Sequence, residues 1–133
     1  MDVYFVDGVR TAFGRAGPKG VFWRTRADDM AVKVVREVLR RNPQLPPERI
    51  GDVVFAATAQ VGDQGLTMGR DVGLLAGLPQ TVPGFAVDRM CAGALTAVRA
   101  PAHIRSTAKP GTLCGSPARR ATSRPRVKPW SPT

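Results

Sequence analysis

Three short apolar runs, each followed by a segment with helical periodicity, are the feature that most restricts the fold of this chain. The runs are rich in valine and phenylalanine and occupy residues 3–6, 53–57 and 84–87. Short continuous apolar runs are typical of strands that a sheet buries on both faces. Because strands and helical segments alternate with short connections, the sequence predicts an α/β architecture around a buried sheet.

The first helical segment carries signals at both ends. Its apolar residues recur at helical spacing and form one stripe, at Ala31, Val34, Val35 and Val38. Acids lie in its first turn and arginines in its last, as the helix dipole favours, at Asp28, Asp29, Arg40 and Arg41. Pro43 is expected to end this helix.

The second and third helical segments are shorter. In the second, Met68, Val72 and Leu75 fall on one side, and Gly77 is the expected C-cap. The third is predicted from Cys91 to Val98 and is rich in alanine and glycine, so it can pack closely against its neighbours.

The last quarter of the chain differs in composition from the rest. Residues 101–133 contain seven Lys/Arg, no Asp/Glu and six of the 12 prolines, and they account for most of the net charge of +10. Such a segment is expected to be disordered, without long helices or central strands. The sequence therefore predicts a partial α/β domain over residues 1–100 and a basic tail over 101–133. The tail composition fits either a basic binding arm or translation out of frame.

Cys91 is the candidate catalytic residue. It lies where the third apolar run leads into a small-residue helix, and a helix N-terminus favours thiolate over thiol. The alternative is that Cys91 is a small apolar core residue, as most free cysteines are. The other cysteine, Cys114, lies in the tail, which argues against a disulfide framework and suits a reducing, cytoplasmic compartment. No secretion signal or membrane-spanning run is expected from the sequence.

Three stretches in order resemble the N-terminal part of the thiolase family, which includes acetyl-CoA acetyltransferases and 3-ketoacyl-CoA thiolases. The first is Val9-Arg10-Thr11-Ala12-Phe13-Gly14-Arg15, after the first apolar run. The second is Gln60-Val61-Gly62-Asp63-Gln64-Gly65 with Gly69-Arg70 and Ala76-Gly77-Leu78-Pro79. The third, Asp88-Arg89-Met90-Cys91-Ala92-Gly93-Ala94-Leu95, resembles the nucleophile segment.

The resemblance implies a fold and a chemistry. The fold is an incomplete thiolase-like α/β half-domain with a mixed buried sheet, followed by the disordered basic tail. The chemistry is acyl transfer between coenzyme A thioesters through an acyl thioester on Cys91, with coenzyme A, acetyl-CoA and acyl-CoA as substrates. No bound cofactor, no metal and no membrane are implied, and full-length relatives are homo-oligomers.

Other parts of the family's site are missing from this sequence. The family's Asn-Glu-Ala-Phe and Gly-His-Pro motifs do not occur, nor does its second cysteine in a glycine-rich Cys-x-Gly segment, and neither His103 nor Cys114 lies in a matching context. We therefore expect the 133-residue chain to be a fragment with little or no activity alone.

Two further features have plainer interpretations. Gly14, Gly17 and Gly20 with Arg15 and Lys19 lack the spacing of a phosphate-binding motif and are interpreted as a plain loop. The cluster 22–24 is interpreted as a packing or subunit-contact cluster. The alternative function, binding of nucleic acid or another polyanion by the basic tail, is disfavoured because Trp130 is the tail's one aromatic residue.

Overall fold

A computed structural model describes residues 4–65 and 67–107, with the side chains of 4–65 and 67–101. Its longer elements are α1 (Ala27–Arg41), β1 (Val53–Ala56), α2 (Met68–Ala76), β2 (Gly84–Val87) and α3 (Gly93–Thr107). Single 3₁₀ turns occupy Pro47–Arg49, Gly62–Gln64 and Met90–Ala92. The predicted alternation of strands and helices is confirmed from α1 onward, and the chain has an α/β fold.

The sheet in the described residues is a parallel pair. β1 and β2 align Val53 with Gly84 and Ala56 with Val87, and α2 forms the crossover between them. The mixed sheet implied by the resemblance is not found there. The strand predicted at residues 3–6 is also absent from its described part, because residues 4–6 are irregular and exposed. A buried strand depends on neighbouring strands for its ladder and its cover, and the sheet of the described residues pairs only β1 with β2.

Helix α1 begins and ends close to where its charges predict. Asn42 follows its last turn and donates through Nδ2 to the carbonyl of Val38 at 2.9 Å and to Asp7 Oδ2 at 3.1 Å. The buried residues of α1 are Ala31 and Val32, so the buried side is rotated from the predicted stripe toward Val32. This rotation places the most buried turn of α1 against α2, whose buried Met68 and Val72 belong to the same core cluster.

Helix α2 lies against the backbone of the sheet. A Cβ placed on Gly69 would lie 2.6 Å from the carbonyl oxygen of Val53 and would overlap that of Phe85. The helix ends as predicted at Gly77, which has φ +95° and donates its N–H to the carbonyl of Leu74 at 3.0 Å. Leu75, predicted on the apolar side with Met68 and Val72, is instead 54% exposed.

The core lies between the sheet and the two helices α1 and α2. Phe55 of β1 and Ala86 of β2 are paired in register and pack against the α1–α2 cluster. A second small cluster contains Val53, Leu78 and Val82. On the opposite side of β1, Gly93 at the start of α3 approaches Ala56 so closely that an added Cβ would lie 3.0 Å from the Ala56 Cβ. The pair of strands is therefore held between helices on both faces.

Helix α3 is longer than the composition predicts. It continues through Pro101 to Thr107, so the disorder expected from residue 101 onward is not found in residues 101–107. One proline removes one N–H from the helical ladder, but its fixed φ is compatible with helical geometry, so the helix can continue. The domain boundary at residue 100 stays a prediction, and the rest of the predicted tail lies outside the described residues.

The N-terminus of α1 is capped from a distant loop. The N–H of Ala27 donates to Asp63 Oδ2 at 2.6 Å, and Asp63 belongs to the turn that follows β1. The neighbouring Arg26 makes no side-chain cap and instead pairs with Asp28 at 2.7 Å. Asp63 therefore satisfies one of the free N–H groups at the helix start and ties α1 to the loop between β1 and α2.

Removal of this cap is expected to weaken the fold. Asp63→Ala should lower the free energy of unfolding in urea by about 1 kcal/mol, because it leaves a helical N–H without its carboxylate acceptor. Asp29→Ala is the matched control. It removes one negative charge from the first turn of α1 but leaves the Asp63 carboxylate that accepts the Ala27 N–H. Equal losses in the two variants would contradict the capping role of Asp63 and leave only the charge effect.

Candidate functional site

The carboxyl ends of the two strands define the region that contains Cys91. β1 and β2 are parallel, so Ala56 and Val87 lie at the same edge of the sheet. The loop that carries Asp63 leaves this edge after β1, and the segment that carries Cys91 leaves it after β2. Ligand sites in sheets of this kind lie at the carboxyl ends of strands.

Cys91 sits in the 3₁₀ turn Met90–Ala92, directly before α3, and it is exposed. Gly93 begins α3 and is buried against Ala56, which fixes the start of the helix on the end of β1. The thiol is thus on the surface at a strand–helix junction, and the alternative in which Cys91 is a buried apolar residue does not describe this structure.

The backbone next to the thiol adopts a conformation that is uncommon for its residue type. Met90 has φ +46°, the one positive φ at a residue other than glycine in the described part of the chain. An L-residue with a side chain of this size pays a steric cost in that region, and such residues concentrate at functional sites. The strained turn lets the chain leave β2 and enter α3 with Cys91 at the bend.

A polar network joins the two ends of this turn. Arg89 donates from Nη1 to Thr96 Oγ1 at 3.1 Å, and Thr96 Oγ1 donates to the carbonyl of Ala92 at 3.1 Å. The N–H of Ala92 in turn donates to the carbonyl of Arg89 at 3.0 Å. Arg89 and Thr96 therefore brace the turn around Cys91. The sequence reasoning missed the role of Thr96, although a threonine in a helix often donates to the carbonyl four residues before it.

The other two motifs that carry the resemblance lie outside the turn that contains Cys91. The segment 9–15 is an irregular loop in which Arg10 lies over the ring of Phe13 at 4.9 Å. In the second motif, Gly69 makes the close backbone contact described above, and Arg70 donates to the carbonyl of Val82 at 2.6 Å. Gly69 and Arg70 therefore help to hold the scaffold that places Cys91.

Two carboxyl groups of α1 have lowered pKa values. Arg40 and Arg41 lower the pKa of the Glu37 carboxyl to about 2 through hydrogen bonds to it. Arg26 likewise lowers the pKa of the Asp28 carboxyl. Both carboxylates are paired on the helix surface, so these shifts reflect exposed ion pairs and not a proton-transfer site.

The remaining candidate residues lie outside the part of the chain whose side chains the structure describes. The side chain of His103 and all of Cys114 lie outside the described side chains, as does the basic tail proposed to bind polyanions. Within the described residues, no cluster of three or more His, Cys, Asp or Glu side chains could hold a metal ion. No helix in the described part of the chain is long and apolar enough to cross a membrane.

An exposed cysteine thus lies at a strand–helix junction, at the carboxyl ends of two parallel strands. Comparison with known sequences identifies the class of protein. Residues 3–115 match the family described as Thiolase, N-terminal domain, so the chain belongs to the thiolase family and the predicted resemblance is confirmed.

Individual relatives agree with this assignment. Over 97 residues, 73% of this chain, it is 40% identical to the 3-ketoacyl-CoA thiolase of Acinetobacter baumannii strain AYE and to that of Psychrobacter arcticus. It is 39% identical to the 3-ketoacyl-CoA thiolase of Psychrobacter cryohalolentis over the same length. In each case the match covers 24% of the relative. The chain therefore spans about a quarter of the length of the curated relatives it matches.

Proposed function

We propose that this chain supplies the nucleophile of a thiolase reaction, with Cys91 as the residue that accepts the acyl group. The observation that carries the proposal is the position of Cys91, exposed in the braced and strained turn between β2 and α3. Its family membership and the names of its relatives support 3-ketoacyl-CoA thioesters as the substrate class.

The proposed chemistry begins at the sulfur of Cys91. The thiolate attacks the 3-keto carbonyl carbon of the substrate, and an S–C bond forms while the bond between that carbon and C2 breaks. The electron pair released at C2 takes a proton, which gives acetyl-CoA. The thiol of a second coenzyme A then attacks the acyl-cysteine, and the shortened acyl-CoA leaves as the Cys91 thiolate is restored. The reverse sequence is a condensation of two acyl-CoA molecules.

The complete reaction also needs catalytic groups that this sequence does not contain. The carbanion step needs a proton carrier, and the tetrahedral intermediates need oxyanion donors. In the family these groups come from motifs absent from this sequence, so we propose that the 133-residue chain alone accepts an acyl group but does not turn over. Transfer from acetyl-CoA to Cys91 is a simple thioester exchange and needs no carbanion.

Exposed apolar side chains support the proposal that this chain is part of a larger assembly. Large apolar side chains are exposed on α3 at Leu95 and Val98 and on the N-terminal loop at Phe5 and Phe13. Apolar side chains exposed in this number are typical of surfaces that other protein covers. We propose that the remainder of a longer thiolase, or a second subunit, covers them.

Acyl acceptance is testable on the chain as it exists. After incubation with acetyl-CoA carrying an isotopic label in the acetyl group, we expect the label on the peptide that contains Cys91. Free coenzyme A should remove it again, because thioester exchange is close to isoenergetic. A label found on lysine, or on Cys114 alone, would contradict the assignment of Cys91.

A further inference from the structure

The loop between the N-terminal segment and α1 carries two adjoining open clefts that the proposed thiolase chemistry does not use. One has a volume of about 280 Å³ and is lined by residues 14–17 with Phe22 and Trp23. The other has a volume of about 260 Å³ and is lined by Arg15, Ala16, Pro18 and Lys19. They share Arg15 and Ala16. Each is slightly below the roughly 300 Å³ of the smallest ligand pockets, so a ligand there would lie partly outside either cleft.

The shape of this loop depends on its glycines. Gly17 has φ +90° and accepts the N–H of Gly20 at 2.8 Å, which closes a tight turn. A Cβ on Gly20 would overlap the carbonyl of Arg15, and one on Gly14 would lie 2.6 Å from the ring of Phe22. Backbone and aromatic rings approach each other here in a way that only glycine allows, so the clefts belong to a defined loop conformation.

The loop carries a positive net charge, and three of its cations have no partner among the described residues. Between Asp7 and Asp28 the sequence has five cations and no acid. Arg26 pairs with Asp28 and Arg10 lies over Phe13, but Arg15, Lys19 and Arg24 make no hydrogen bond or ion pair with any described residue. Two of these free cations, Arg15 and Lys19, line the clefts. An anion bound there would meet no competing carboxylate on the loop itself.

An aromatic surface lies beside these cations. Trp23 lines the first cleft and is 58% exposed, so part of its ring is open to a ligand. Stacking on an aromatic ring holds a nucleobase, and arginine and lysine hold phosphates. Sequence spacing gave no phosphate motif here, because the cations and the ring come together through turns and not through a strand–loop–helix motif.

From this geometry we infer that the loop 14–23 binds a nucleoside diphosphate, with the phosphates on Arg15 and Lys19 and the base against Trp23. The inference does not depend on acyl transfer, because Cys91 lies on another part of the chain, after β2. A free nucleotide and the adenosine diphosphate portion of coenzyme A present the same groups. Separate titrations with ADP and coenzyme A distinguish these sources, and tighter binding of coenzyme A would assign the loop to the acyl carrier.

The charge test uses isothermal titration of the full chain with ADP and two matched double variants. Arg15→Ala/Lys19→Ala should weaken ADP binding about tenfold or more, since each charge-assisted contact to phosphate is strong. Lys33→Ala/Arg49→Ala removes the same charge from exposed positions elsewhere and should change the affinity less than about twofold. Equal losses in both variants would overturn the inference, because they would show binding to net charge alone.

The ring test uses the two tryptophans as a matched pair. Trp23→Leu should weaken ADP binding about tenfold and leave the affinity for inorganic pyrophosphate unchanged, whereas Trp130→Leu should change neither. If pyrophosphate, which has the same two phosphates, binds the unmodified chain as tightly as ADP does, the base makes no contact and the nucleotide assignment is wrong. The Cys91→Ser chain should bind ADP with unchanged affinity, which separates this inference from the proposed acyl transfer.

Discussion

Replacing Gly69 by alanine is expected to lower the free energy of unfolding by about 3 kcal/mol, at the upper end of the usual cost of overpacking a core. The added Cβ would lie 2.6 Å from the carbonyl oxygen of Val53 and would overlap that of Phe85. Both obstacles are backbone atoms of the paired strands, so neither can rotate away. Gly84 of β2 faces Gly69 in the same way, with an added Cβ only 2.7 Å from the Gly69 carbonyl carbon.

The same helix offers a control of opposite sign. Gly73 is also buried, but a Cβ there would make ordinary contact at 3.5 Å with a methyl group of Val53. Gly73→Ala should therefore raise the free energy of unfolding by about 0.5 to 1 kcal/mol through helix propensity. Urea denaturation followed by circular dichroism measures both variants. Losses of similar size at the two positions would contradict the close contact of α2 with the sheet backbone.

Replacing Cys91 by serine is expected to reduce acetyl transfer from acetyl-CoA to the chain by about a hundredfold or more. A serine hydroxyl is a weak nucleophile near neutral pH without an adjacent general base, whereas a cysteine is partly thiolate and intrinsically nucleophilic. The described hydrogen bonds around the turn join Arg89, Thr96 and Ala92, and none involves the Cys91 side chain. The substitution should therefore leave the turn intact.

Cys114→Ser is the matched control for this experiment. It removes the chain's other thiol and should leave the initial rate of acetyl transfer, followed by intact-protein mass, almost unchanged. If Cys114→Ser reduces the rate as much as Cys91→Ser does, acyl acceptance is a property of any thiol in the chain and the site assigned to Cys91 is wrong.

Much of the scaffold could be predicted because its signals are local. The run 84–87 is apolar and short, and it forms β2 with those bounds. Gly77 ends α2 in the left-handed conformation that glycine favours, and the charged ends of α1 match its observed limits. The strand–helix junction at Cys91 is predictable for the same reason, because a strand pattern and a helix pattern meet there in the sequence.

Features that depend on distant parts of the chain were not predictable. Residues 3–6 have a strand composition, but no strand lies beside their described part to pair with them. Asp63 reads as an ordinary loop acid, and only the fold brings it to the N–H of Ala27. The positive φ of Met90 has no sequence signal, because it results from the geometry that joins β2 to α3. The basic clefts of residues 14–23 likewise depend on turns that spacing alone does not show.

The rate of acetylation of Cys91 relative to Cys114, measured in one sample by peptide mass spectrometry, tests the central claim most directly. In the folded chain we predict that acetyl-CoA labels Cys91 at least about tenfold faster than Cys114, because the turn between β2 and α3 presents the first thiol at a helix start. In concentrated urea the two rates should become similar. Similar rates in the folded chain, or a preference for Cys91 that survives unfolding, would contradict the account.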